Sequence, residues 1–143
     1  MTPSSRDALP AKFHGNPPAV VRAIGQVEAS SGLNLPEDYK EFLREADGGE
    51  GFVGNAYLIL WTAEELLAGN QGYGVEERAP GLFLFGCDGG GEGLAFDARS
   101  QAKPIVIVPL VGMELKVARP LANTFNEFLE KCFNSGLFGL ESV

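Results

Sequence analysis

Histidine and cysteine are nearly absent from this chain, and what they rule out narrows its chemistry at once. The one histidine is His14. Any Ser-His-Asp relay or Cys-His pair would depend wholly on that residue, and no serine sits in a G-x-S-x-G elbow. The two cysteines, Cys87 and Cys132, are too few for a disulfide framework and have no C-x-x-C spacing. With a single histidine beside them, a typical zinc site lacks ligands. Each thiol lies in an apolar run, so both are expected to be buried and reduced. Long hydrophobic runs are missing too: none approaches the ~20 residues needed to cross a bilayer. The opening stretch MTPSSRDALPAKFHG has no apolar segment of the secretory type. The expectation is a cytoplasmic protein with no cofactor, no metal and no membrane partner.

What is present is an ordinary globular composition. The 143 residues suit one domain, and 45% of them are hydrophobic. Ten phenylalanines predict an aromatic-rich core, and 19 glycines predict many turns and close backbone approaches. The net charge is −8, unevenly spread. Glu37, Asp38, Glu41, Glu45, Asp47 and Glu50 outweigh Lys40 and Arg44, and the acidic excess continues through residues 51–100, whereas residues 101–143 are balanced. An anionic surface repels nucleic acid and speeds encounter with a basic partner, besides keeping the protein soluble.

Along the chain, residues 1–15 read as a loosely held polar arm and residues 16–143 as a single domain. Asn16-Pro17 has the form of a helix start, with Val20, Ile24 and Val27 at helical spacing and a stop at Gly32. Leu35-Pro36 opens a second helix, whose Tyr39, Phe42, Leu43 and Ala46 make one buried stripe before Asp47-Gly48-Gly49 ends it. A strand spans Tyr57 to Trp61. Thr62 to Glu65 is a capping box for a short helix to about Ala68, and Gly69 to Pro80 reads as a loop with room for a helical turn. Leu82–Phe85 and Leu94–Phe96 predict a hairpin across the glycine turn at Asp88–Gly93, and Leu82–Phe85 is apolar on both faces. Ile105–Val108 is a further apolar strand. Glu114–Val117 alternates like an edge strand, which could pair with a second copy, so a monomer or weak homodimer is expected. Thr124 to Glu127 is another capping box, opening a helix with Phe125, Phe128, Leu129, Cys132 and Phe133 on one stripe and Gly136 at its end. The fold class is α+β, an antiparallel β-meander flanked by helices.

Four stretches resemble the SUKH (Smi/Knr-like) superfamily in order and spacing. They are Leu35-Pro36-Glu37-Asp38-Tyr39-Lys40-Glu41-Phe42-Leu43 with Asp47-Gly48-Gly49; Pro80–Gly86 with Asp88–Gly91; Leu94–Asp97 with the apolar strand before Pro109; and Thr124–Leu129. Together they cover roughly residues 17–133. Asp47 stands where asparagine is common, and the glycine turn is longer than in some members. The resemblance implies the Smi/Knr-like fold and action by partner binding. Bacterial members are read as immunity proteins that neutralise toxins, many of them nucleases, and a eukaryotic branch regulates cell-wall synthesis and signalling. It carries over no catalytic residues.

The residues themselves offer little else. Asp88-Gly89-Gly90-Gly91-Glu92-Gly93 lacks the lysine and helix of a phosphate loop and matches no G-x-G-x-x-G window. It could hold Ca²⁺ through Asp88, Glu92 and Asp97, serve only as a hairpin turn, or touch a partner. Glu64/Glu65 and Glu76/Glu77 are poorly placed as acid–base dyads, the first because helix neighbours face different ways. Trp61 reads as core. Tyr73, in Gly72-Tyr73-Gly74, reads as a contact residue on a polar loop. The expected function is non-catalytic binding of a protein, such as a basic toxin, through Glu37, Glu41, Glu45, Glu50, Tyr73, Asp88 and Glu92. A regulatory or scaffold module and a metal-dependent or small-ligand enzyme are the competing readings.

Overall fold

The structure, a computed structural model, describes residues 13–141, with side chains as far as Asn134. Seven antiparallel strands form one sheet in strict sequence order: β1 (Phe13–Gly15), β2 (Gly49–Val53), β3 (Ala56–Leu60), β4 (Leu82–Cys87), β5 (Glu92–Asp97), β6 (Ile105–Pro109) and β7 (Arg119–Ala122). Five α-helices accompany them: α1 (Val21–Ser31), α2 (Glu37–Glu45), α3 (Ala63–Gly72), α4 (Val75–Arg78) and α5 (Phe125–Glu141). The α+β meander expected from the sequence is what forms.

One face of the sheet carries the main core. Phe83, Phe85, Leu94, Phe96, Ile105 and Ile107 point into it and meet Ile24 and Val27 of α1, Tyr39, Phe42 and Leu43 of α2, Leu66 of α3 and Phe125 and Phe128 of α5. Phe85 lies at the centre, with ring centroids 4.6–5.8 Å from those of Tyr39, Phe96, Phe125 and Phe128. These edge-on and offset contacts suit the charge distribution of aromatic rings. On the outer face, Leu82, Leu84, Ala95, Val106 and Val108 are buried under Val75 of α4, Ala79 just after it, and Met113. The double-sided apolarity of Leu82–Phe85 reflects these two covers.

Tyr39 breaks the pattern of satisfied polar groups. Its ring is buried and, among the described residues, its hydroxyl has no hydrogen-bond partner. Burial pushes the phenol pKa well above its ordinary value, and the nearby Asp47 charge adds to this. A buried hydroxyl without a partner contributes a desolvation cost and no bond. Tyr39→Phe is therefore expected to leave stability unchanged or raise it by up to about 1–2 kcal/mol. Urea unfolding checks this, and a clear loss of stability would mean that the hydroxyl has a partner.

The helix signals hold at several ends. Gly32 caps α1 in the left-handed conformation, and Thr62 and Glu65 form the full reciprocal capping box of α3. Elsewhere the structure corrects the reading. Residues 13–15 are not a loose arm but an edge strand that places His14 opposite Glu50; residues 1–12 lie outside the described residues. Asn16 does not cap α1. Its side-chain amide donates to the Asp47 carbonyl at 2.9 Å and its backbone N–H donates to the Gly48 carbonyl, so the helix starts at Val21 instead. Glu114–Val117 is no strand: Leu115–Val117 is a 3-10 turn, and the sheet's edge is β7. Helix α3 runs to Gly72, beyond Ala68. Gly136 does not end α5, which continues to Glu141.

Candidate partner-binding surface

The carboxylates singled out by the sequence fall on two sides of the sheet. Helix α2 packs against the core face, since its buried stripe of Tyr39, Phe42 and Leu43 belongs to the main core. Glu37, Glu41 and Glu45 recur every fourth residue along its opposite side. Glu37 is tied within the helix, 2.9 Å from the Arg44 guanidinium and 3.4 Å from the Lys40 ammonium. Hydrogen bonds from these two cations, Arg44 first, hold its carboxyl below the usual range. Glu41 is exposed and Glu45 half-buried.

Glu50 belongs to the other side. Alternation along β2 and β3 sends Val53, Ala56, Leu58 and Leu60 into the core and leaves Glu50, Phe52, Tyr57 and Ile59 on the outer face. The register sets His14, Glu50, Ile59 and Cys87 in one cross-strand row, with Phe52 opposite Tyr57 in the next. A bulge between Leu84 and Gly86 returns Cys87 to this face. The Tyr57 hydroxyl donates to Glu50 Oε2, and the rings of Phe52 and Tyr57 meet edge to face at 5.0 Å. Phe52 is 45% exposed, and among the described residues no helix covers this part of the sheet.

Asp88 stands beside this surface at the β4–β5 turn, whereas Glu92, two residues before the core-facing Leu94, falls on the other side of the sheet with its Oε2 buried. Asp88 Oδ1 accepts from the backbone N–H groups of Gly90 at 2.7 Å and Glu92 at 3.0 Å, so the side chain organises the loop, as Asx turns do. Gly89 rests against Ile59 and Tyr57. Burial pushes the Cys87 thiol above its ordinary pKa, and the charges of Asp88 and Glu50 push it the same way. Cys87 is thus only half-buried, whereas Cys132 is fully buried and its thiol is pushed up to about 12 by burial. The Ca²⁺ arrangement does not form: Asp97 lies at the far end of β5 from Asp88 and is held by both nitrogens of an Arg99 fork at 2.9 Å. Among the described residues, no group of three His, Cys, Asp or Glu side chains is placed to hold a metal ion.

Tyr73 sits apart from both acidic sets. It caps the C-terminus of α3, so it stands on helical structure where the sequence suggested a loop. Its ring lies parallel to that of Trp61 at 6.2 Å. Trp61 is partly buried and lies flat across Gly69, where any Cβ would overlap the indole. Tyr73 borders an open groove of about 1010 Å³ lined by Ser31, Asn70, Glu76, Glu77 and Arg78 among others. Its best placed polar side chain, Asn70, is spent on the fold: the amide donates to the Leu66 and Leu84 carbonyls and accepts from the Leu84 N–H. Glu76 and Glu77 are exposed on α4.

Sequence reasoning missed Phe52 because it missed β2. The strand Gly49-Glu-Gly-Phe-Val has glycine at two of its three inward positions, which hides the apolar alternation. The repeat of Glu50, Phe52 and then Tyr57, Ile59 across the Gly54-Asn55 turn was the signal available.

Among the described residues no helix is long and apolar enough to cross a membrane. The chain is similar to uncharacterized protein YnaB of Bacillus subtilis (strain 168), with 36% identity over 76 residues. That match covers 53% of this chain and 49% of the relative, so it spans only about half of either protein. The sequence pattern of the SMI1 / KNR4 family (SUKH-1) matches residues 18–131, which takes in every α-helix start and all strands but β1. By that match, and by a meander whose α2 stripe and glycine turn sit where the resemblance placed them, the chain belongs to the SMI1 / KNR4 family (SUKH-1).

Proposed function

We propose that this chain is a non-catalytic protein-binding domain of the immunity type, which captures a basic toxin through its acidic surface. The observation that carries the reading is a stretch without cations. From Glu45 to Glu77 the chain has seven carboxylates and no lysine, arginine or histidine. This stretch includes β2 and β3, whose outer face is open, so Glu50 stands exposed there beside an uncovered aromatic pair. Fixed charge of one sign raises the encounter rate with a partner of the other sign. Family membership supports binding as the mode of action, and the scarcity of histidine and cysteine fits it.

The test is the association rate of the complex with the partner that co-purifies from the native host. Between low salt and about 0.5 M salt the on-rate is expected to fall tenfold or more, while the off-rate changes little. An on-rate indifferent to salt would remove the acidic surface from the account.

A further inference from the structure

The outer face of the sheet is roofed over part of its width only. Val75, Ala79 and Met113 cover β4, β5 and β6, and the cover stops before β3. Beyond it lie Phe52, 45% exposed, with Tyr57 and Ile59 half-buried, a small apolar floor on two adjacent strands. Carboxylates border this floor: Glu50 within it, and Asp88 at the turn beside it. Neither β2, β3, β4, β5 nor the turns joining β2 to β3 and β4 to β5 contain a lysine or arginine. A second copy of the chain is a poor occupant, because a symmetric pair would bring one cation-free acidic face against another on a protein of net charge −8.

The geometry points to a partner segment that lays an arginine across this floor, its guanidinium on the Glu50 carboxylate and its plane against the Phe52–Tyr57 pair. The inference rests on the protein-binding reading and names which face binds and which side chain it reads. Arginine fits better than lysine for two reasons. Its planar fork meets a carboxylate through two parallel hydrogen bonds, and its weakly hydrated plane stacks on aromatic rings. Tyr57 already supplies one hydrogen bond to Glu50 Oε2, which fixes the carboxylate over the strands before a partner arrives. The strands form a rigid base for the site, and the Asp88 turn beside it is internally hydrogen-bonded.

The experiment is a titration of the ¹⁵N-labelled full chain, followed by amide shifts, with three short capped peptides of alternating valine and basic residue. The three carry arginine, lysine or citrulline. The arginine peptide is expected to shift amides of residues 50–59 and 88–92 and to bind more tightly than the lysine peptide, with the neutral citrulline peptide weakest. Glu50→Gln and Phe52→Ser, both at exposed positions, are each expected to weaken the arginine peptide about tenfold, while Glu37→Gln leaves it unchanged. Unaltered amide spectra elsewhere would show that the variants still fold. No shift at millimolar peptide, equal binding of arginine and citrulline peptides, or shifts confined to α2 or to the groove at Asn70 would overturn the inference. Shifts on α2 would still leave an acidic protein-binding surface standing. Concentration-dependent self-association through β2 and β3 would instead make a second copy the occupant.

Discussion

Phe85→Ala is expected to cost about 3–5 kcal/mol and to leave the chain at the edge of folding. Phe85 is completely buried, on the core face of a central strand, and its ring touches four other aromatic rings drawn from α2, β5 and α5. Those neighbours are fixed on three separate elements, so none can collapse into the space the ring leaves. The loss therefore combines the transfer energy of the ring with a cavity that stays open. Equilibrium urea unfolding is the measurement. The variant should lose most or all of its native baseline, whereas Phe133→Ala, at a position 53% exposed on the last helix, should stay close to the parent. Similar midpoints for the two variants would mean that the aromatic cluster is not the centre of the core.

Gly48→Ala is expected to be severely damaging for a single added methyl group, at about 3 kcal/mol or more. Two costs coincide there. Gly48 has φ +70, which an L side chain adopts at about 1–2 kcal/mol. Its Cβ would also stand 2.5 Å from the Trp61 carbonyl oxygen and closer still to that of Leu60, both of them backbone atoms. Neither can swing aside, because Leu60 ends β3 and the Trp61 N–H donates to the Phe85 carbonyl. The junction is tied on its other sides too: the Gly48 carbonyl accepts from Asn16, and Asp47 Oδ1 accepts from the Ala63 N–H at the start of α3. Gly32→Ala is the control. That glycine is equally left-handed, at φ +73, but has nothing within 4 Å of a new Cβ, so only the conformational cost of about 1–2 kcal/mol remains. Thermal unfolding of the two variants side by side separates strain from overlap. Equal losses would show that the backbone around Gly48 can yield.

These two positions also mark how far the sequence could be read. Where a periodic apolar pattern met a strong boundary signal, the element was legible. The α2 stripe ending near Asp47, the Thr62 capping box and the apolar strands 82–85 and 105–108 are such cases. Where tertiary contact decided, it was not. Asn16 has the chemistry of a cap, yet its amide is claimed by the Asp47 carbonyl, 31 residues away. Strand β7 carries Pro120, which reads as a break. It is tolerated because β7 pairs only with β6, leaving an outer side that needs no ladder donor. Glu114–Val117 alternates over too few residues to distinguish a strand from a turn, and Leu115 instead packs on the outer cluster. Gly136 weakens a helix by about 1 kcal/mol without having to stop it.

The candidate surface was legible in its charge and illegible in its shape. Counting carboxylates found Glu37, Glu41, Glu45, Glu50, Asp88 and Glu92, but counting cannot say that α2 lies on the core side of the sheet and Glu50 on the other. It also missed Phe52, which gives the Glu50 side an apolar floor that the α2 side lacks. A charged surface alone steers a partner. An uncovered aromatic pair beside an oriented carboxylate can also hold one.

Hydrogen–deuterium exchange of the chain, free and bound to the partner that co-purifies from its native host, tests this most directly. Slowed exchange is expected in β2, in β3 and in the turn at residues 88–91, with α4 and the groove beside Asn70 unchanged. Protection confined to that groove, or none on the open strands, would contradict it.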